Sequence, residues 1–408
     1  MNKRRILSVL VAFVISVNTV LAGITEIMTA SVAVASGVRA VVTPGNSLVQ
    51  ESHVNIPYLN NRNAFTREPP NYYKITNIYN KKGGFVKEIN RFKPVRRRRS
   101  RGYSFKTEML LPVDRDRNYD RRIRNLQAGV LVDNRYYYTL SINGTGANRG
   151  RVIRYDYRAL SKMKLNIRRR SSDLRKAHSL KLYNDNAGKN GNNKKKRTKR
   201  QRRLARYIKI GPEIPTGHGQ TLSYNPATKQ LWILLDNETS FGVELYREST
   251  VIQQICAKTL KPEKALRFSC ETPDGRILLP GRVMTFDKNG AAYTAIRSSA
   301  GAVTIFRLDI KDNKVTVTTM QKMRYGASIK RLQCLSYNAY NNKMYLVGDD
   351  SIAYFPLDKL GSLKPADISY INYNSKREFQ SLTFDSKGYA YLLVIMTPEL
   401  LKSTNVLI

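Results

Sequence analysis

Four copies of one short pattern recur in the C-terminal half of the chain. Leu222-Ser223-Tyr224-Asn225 leads through a polar turn to Leu231-Trp232-Ile233, and Met284-Thr285-Phe286-Asp287 leads to Ala292-Tyr293-Thr294. Leu335-Ser336-Tyr337-Asn338 leads to Met344-Tyr345-Leu346, and Leu382-Thr383-Phe384-Asp385 leads to Ala390-Tyr391-Leu392. Each copy reads as a β-hairpin, two short strands joined at Asn or Asp. Two turns are Asp-Lys-Asn-Gly and Asp-Ser-Lys-Gly, where Gly supplies the positive φ that a tight hairpin needs. The copies start 62, 51 and 47 residues apart. Further strand-like runs at 302–309, 314–320, 352–357 and 368–373 follow the hairpins. Four strands per roughly 40–50 residues is the pattern of a propeller blade.

A degraded fifth copy runs from 127 to 132, turns at Asp133-Asn134-Arg135, and returns through Tyr136-Tyr137-Tyr138-Thr139. The expected fold is therefore all-β, a β-propeller of about five blades over residues 106–408. A β-sandwich of the same hairpins competes, but the period favours the propeller. The last copy has little chain after Tyr391, so its outer strands must come from elsewhere, and residues 108–113 are the candidate to complete the ring.

The chain begins Met1-Asn2-Lys3-Arg4-Arg5 and continues uncharged from 6 to 25. That order of charge and apolar run marks a secretory signal over residues 1–40. Cleavage sites are offered at Val20-Leu21-Ala22, Ala33-Val34-Ala35 and Val38-Arg39-Ala40. An uncleaved anchor helix is the alternative, since about 20 apolar residues span a bilayer. No Cys lies in the first forty residues, which excludes a lipid-modified Cys at those sites, and no later run is long and apolar enough to span. A secreted, extracellular chain is expected, either free or held at the cell surface without a covalent anchor.

The net charge is +41, and it is local. Residues 211–408 hold 24 of the 71 Lys and Arg and 18 of the 30 Asp and Glu; the other 47 and 12 fall in residues 1–210. The dense runs are Arg96, Arg97, Arg98, Arg99 and Arg101; Arg168, Arg169 and Arg170; and Lys194, Lys195, Lys196, Arg197, Lys199, Arg200, Arg202 and Arg203. Blocks of like charge repel and stay solvated. Residues 41–105 thus read as an extended, disordered basic arm, and about 161–205 as a mobile basic insertion. Anionic wall polymers such as teichoic acids, or other glycans, are the expected partners. Anionic lipid and nucleic acid would satisfy the same charge, but an exported chain seldom meets nucleic acid. The sequence does not determine the oligomeric state.

Three cysteines, Cys256, Cys270 and Cys334, allow at most one internal disulfide, and buried free thiols are the simpler reading. No CxxC, HExxH, GxSxG or Walker loop is present, and only three His occur. No metal, cofactor or catalytic residue is expected. The candidate binding site is a repeat position two residues before the aliphatic one. Gln220, Gln333 and Gln380 hold it, Arg282 replaces them in one copy, and Gln127 corresponds in the degraded copy. Such a position faces one mouth of a propeller channel, where amides and a guanidinium could bind a glycan or merely satisfy backbone and water. His218, between Gly217 and Gly219, and Glu378 join the same mouth. Asp287 and Asp385 read as turn formers.

The stretch from Gly217-His218-Gly219-Gln220 to Trp232, the segment Leu360-Gly361-Ser362-Leu363-Lys364-Pro365, and Arg377-Glu378-Phe379-Gln380 with Leu382-Thr383-Phe384-Asp385-Ser386-Lys387-Gly388-Tyr389 carry a resemblance. Over roughly residues 125–395 the chain resembles a group of exported proteins of lactic acid bacteria described only as extracellular. Through the repeat pattern it is also similar to helveticin-type large bacteriocins. The resemblance implies a propeller and no assigned enzymatic activity. The group often has Glu-Gly where this chain has Gln380-Ser381, so no acid-dependent site carries over. A non-enzymatic, envelope-associated propeller is the first expectation. A helveticin-like bacteriocin and a cryptic glycan-active enzyme are the alternatives.

Overall fold

The computed structural model describes residues 40–43, 47–55, 64–67, 91–95, 102–112, 125–142, 149–163, 174, 177, 198–235, 250–271, 277–278, 281–297, 302–325, 332–395 and 398–407. All but the last residue of the segment read as a signal (1–40), and the runs Arg96–Arg99 with Arg101, Arg168–Arg170 and Lys194–Arg197, lie outside them.

Five antiparallel sheets form a five-bladed β-propeller. Blade 1 is Asn125–Val132, Tyr136–Ile142, Arg149–Asp156 and Ile208–Pro215. Blade 2 is Ser223–Asn225, Gln230–Leu235, Thr250–Ile255 and Pro262–Glu271, with the short Ile277–Leu278 beside its last strand. Blade 3 is Val283–Phe286, Ala292–Arg297, Ala302–Lys311 and Lys314–Tyr325. Blade 4 is Leu332–Asn338, Lys343–Gly348, Ser351–Pro356 and Ser369–Asn372. Blade 5 begins with Phe379–Phe384, Tyr389–Val394 and Glu399–Val406. Each first strand touches the first strand of the next blade, and blade 5 returns to blade 1.

Blade 5 is completed from the N-terminal side. Phe105–Leu110 pairs antiparallel with Glu399–Val406, and Arg91–Phe92 pairs with Phe105–Leu110. This is the closure expected of residues 108–113, begun three residues earlier. The boundary read at 105/106 falls inside this strand, because what sets it is pairing to a distant edge and not a local repeat. Within the segment read as an arm, Ser47–Asn55 adds in parallel to Pro262–Glu271, with Ala40–Thr43 beyond it. Ala64–Arg67 adds in parallel to Lys314–Tyr325. These strands extend the outer edges of blades 2 and 3, edges that would otherwise present unpaired backbone groups.

The core lies between blades. One apolar layer separates each pair of neighbours, and the repeat aromatics fill four of them. Tyr224 packs in the layer between blades 1 and 2, Phe286 between 2 and 3, Tyr337 between 3 and 4, and Phe384 between 4 and 5. The fourth layer is the richest in rings. Tyr345 lies 4.7 Å from Phe384 and 6.3 Å from Tyr103, and Tyr373 lies 5.5 Å from Phe379 (centroid distances). The fifth layer joins blades 5 and 1 and is capped by helices.

Part of the basic insertion is not a mobile loop. Helix α1 (Tyr157–Lys162) follows blade 1's third strand, and helix α2 (Lys199–Ala205) precedes its fourth. Thr198 opens α2 with a capping box: its hydroxyl accepts from the Gln201 N–H at 3.2 Å, and the Gln201 side chain accepts from the Thr198 N–H at 3.0 Å. Leu204 and Ala205 are buried in the fifth layer with Leu160, Leu174 and Ala177. A run of cations thus folds because two apolar residues and a cap anchor it, an outcome that charge density alone hides.

Candidate functional site

The first strands surround a channel cavity of about 240 Å³. Its walls include the repeat hydroxyl residues Ser223, Thr285, Ser336 and Thr383. Two of these hydroxyls stitch blades together. Ser223 donates to the Met284 carbonyl of blade 3, and Thr383 Oγ1 accepts from the Leu131 N–H of blade 1 at 3.2 Å, across the closure of the ring. A cavity of this size is below the roughly 300–1,000 Å³ of most small-molecule sites. It admits water or a single small ring. Cys334 also lines it. Burial pushes that thiol up to about 12, so it stays protonated and is a poor nucleophile.

The amides take equivalent places in their blades, at or just before the first strand. They are buried, not open: Gln127, Gln220, Gln333 and Gln380 are each at most 4% exposed. Among the described residues, Gln220 is the one of the six candidate mouth residues that lines the cavity. The amides pair across blade boundaries. Gln220 Nε2 donates to Gln127 Oε1 at 3.1 Å, joining blades 1 and 2. Glu378 Oε1 accepts from Gln333 Nε2 at 3.2 Å and from Gln380 Nε2 at 2.8 Å, joining blades 4 and 5. Gln333 Nε2 also reaches Asp349 Oδ1 at 3.3 Å. Only the NH₂ end of an amide can serve a carboxylate, so the Gln380 carbonyl oxygen is turned away from Glu378. Gln380 Oε1 and Gln220 Oε1 are buried with no donor among the described residues. Such acceptors are satisfied by water or by a ligand hydroxyl.

Arg282 is half-buried, and its main chain joins the same ring: its carbonyl accepts from Thr221 Oγ1 at 3.4 Å. His218 is half-buried in a turn where Gly217 has φ 58° and Gly219 φ 82°. A Cβ on Gly219 would lie 2.7 Å from Ile142 Cγ2 and 3.6 Å from Gln127 Cβ, so only glycine lets this turn close on blade 1 beside the first amide. The repeat acids hold turns. Asp287 Oδ1 accepts from the N–H of Asn289 and Ala291, and Asp385 Oδ1 from Lys387 and Tyr389.

Two features of this site escaped the sequence. Asp349 follows the second strand of blade 4, whose register sets Leu332 and Cys334 opposite Gly348 and Val347. That register brings Asp349 to Gln333, and a strand-pairing argument could have found it. Arg377, just before Glu378, is 1% exposed and paired at 3.2 Å with Glu399, which is fully buried. Arg377 Nε and Nη2 each donate to the Ile395 carbonyl at 3.2 Å, and Thr107 of the closing strand donates to Glu399. No local signal marks that network. Among the described residues no group of three or more His, Cys, Asp or Glu is placed to hold a metal.

No family model and no curated protein matches the chain. Solved structures match it at low similarity. A glucose dehydrogenase matches at 9% identity over 79% of this chain and 100% of that one, with a TM-score of 0.36. The soluble aldose sugar dehydrogenase of Escherichia coli matches at 10% identity over 66% and 78%, with a TM-score of 0.33. The complex of KlAtg21 with the coiled coil of AgAtg16 matches at 11% identity over 65% of this chain and 62% of that one, with a TM-score of 0.30. At that similarity they say nothing of activity.

Proposed function

We propose that this chain is a secreted, non-enzymatic β-propeller that associates electrostatically with the anionic cell envelope and takes a glycan at the channel mouth. The division of charge carries this reading. Of 71 basic residues, 47 lie in residues 1–210, outside most of a nearly balanced ring. Those of the insertion that are described, Lys162, Lys199, Arg200, Arg202 and Arg203, are exposed. Cations displayed this way attract polyanions over a range set by ionic strength, about 10 Å at 0.1 M and 3 Å at 1 M. The purified chain is expected to sediment with wall-bearing cells at low ionic strength and to be released at high. Protein that remains in the medium at low ionic strength overturns the reading.

The glycan rests on the two buried acceptors, Gln220 Oε1, on a residue that lines the channel cavity, and Gln380 Oε1, on the amide that donates to Glu378. Their unmet capacity calls for donors, and a sugar supplies hydroxyls. Calorimetry with envelope oligosaccharides should show Gln220→Leu binding about tenfold more weakly, the loss of roughly one hydrogen bond. Equal affinity in the variant and the parent removes the mouth from the proposal.

A further inference from the structure

The cations of the insertion do more than decorate a surface. Met163, at the end of α1, and Lys199, Arg200, Arg202, Arg203 and Arg206 of α2 border a second cavity, of about 770 Å³. That volume is within the range of ligand sites, roughly 300–1,000 Å³. Arg206, the C-cap, keeps helical backbone angles, φ −66° and ψ −24°. At 3.6 residues per turn, positions 199, 202, 203 and 206 therefore share one face, and Leu204 and Ala205 occupy the opposite one. The buried pair fixes the roll of the helix, and the capping box fixes its start. The cationic face is thus held in one orientation over the cavity.

The arrangement costs stability. Lys199 and Arg203, and Arg202 and Arg206, are like charges four residues apart, which disfavours a helix. The described lining holds five cations, one apolar residue and no carboxylate. Local physics is thus opposed at a place where the helix nevertheless forms and docks, a pattern typical of functional sites. Four of the five cations are Arg, whose planar fork suits phosphate oxygens and binds them bidentately. From Lys199 to Arg206 the helix rises about 10 Å at 1.5 Å per residue. That spread suits several charges in a row better than one small anion.

We infer that the pocket between α1 and α2 is a binding site for a linear phosphodiester polymer, whose successive phosphates pair with Lys199, Arg202, Arg203 and Arg206. The inference rests on the proposed envelope association and gives it an address. The arm's Arg runs then add long-range attraction, and α2 supplies the specific contact.

The test uses the full chain and a soluble glycerol-phosphate oligomer as probe. One variant combines Arg202→Gln, Arg203→Gln and Arg206→Gln. A second removes the same charge from exposed sites on the ring, by Lys311→Gln, Lys314→Gln and Lys387→Gln. The pocket variant should bind at least tenfold more weakly, and its slope of log affinity against log salt should flatten by about 2–3, one counterion per lost contact. The ring variant should bind within twofold of the parent. Equal losses in both variants overturn the site in favour of diffuse charge. Binding of polyglutamate, of phosphatidylglycerol vesicles or of a single-stranded oligonucleotide as tight as that of the oligomer overturns the assigned ligand. Wall-bearing cells separate the two claims. If parent and pocket variant both bind them equally at low salt, envelope association stands and the pocket is not its address. If the parent fails to bind them, the envelope reading falls, while the oligomer titration still decides the pocket.

Discussion

Arg377→Met should lower the unfolding free energy by about 3–5 kcal/mol, because it leaves the Glu399 carboxylate buried without its counter-ion. Glu399 is fully buried, and the Thr107 hydroxyl also donates to it. The three residues belong to three separate stretches of chain: the entry to blade 5, its third strand and the closing strand. Their network is therefore the polar weld of the ring. Replacing both ends, Arg377→Met with Glu399→Leu, should recover most of the loss, since a buried ion pair exchanged for apolar groups of similar size is often neutral. Denaturant unfolding followed by Trp232 fluorescence checks this. Trp232 is the chain's single tryptophan and is buried between blades 2 and 3, away from the weld. A shift there means that the whole ring yields. A loss below about 1 kcal/mol would show that the pair is dispensable, as surface pairs are.

The second large effect concerns closure. A chain beginning at residue 112 should fail to fold, whereas one beginning at residue 91 should fold. The shorter chain lacks Arg91–Phe92 and Phe105–Leu110 and leaves the edge of Glu399–Val406 bare. It also loses Tyr103, Phe105, Met109 and Leu111 from the layers on both sides of blade 5, and the buried Leu110, all at most 6% exposed. At about 1.5–3 kcal/mol per buried apolar side chain the deficit is of order 10 kcal/mol, comparable to the whole stability of a domain. Of the described residues, the longer chain loses the strands at 40–43, 47–55 and 64–67, which lie on the outer edges of blades 2 and 3. Size-exclusion chromatography and circular dichroism distinguish the outcomes. A chain from residue 112 that unfolds as cooperatively as the parent would refute the closing role.

The two predictions mark where sequence reading stops. The hairpin copies were visible because their determinants are adjacent. Asn225, Asp287, Asn338 and Asp385 each bond to backbone N–H groups two to four residues on, so composition and geometry sit in one window. The repeat aromatics were visible because a strand's alternation assigns a face. The capping box Thr198-x-x-Gln201 was present in the letters, but the surrounding charge argued for a loop, and the burial of Leu204 and Ala205 decided otherwise. Asp349 and Arg377 could be found only through register and packing. Their partners lie in other strands or other blades.

By itself the sequence determined the blade: its period, its turn chemistry, the aromatic that fills four of the five interfaces and the unequal division of charge. These follow from local backbone preference and side-chain alternation. The tertiary structure alone decided which strands extend blades 2 and 3, which amides meet across blades, that a buried ion pair in blade 5 takes a hydrogen bond from the closing strand, and that part of the basic insertion is a fixed helix over a cavity. Each of these depends on groups brought together from distant parts of the chain. Their energies come from removing charge and apolar surface from water, and no stretch of sequence read alone says where that removal occurs.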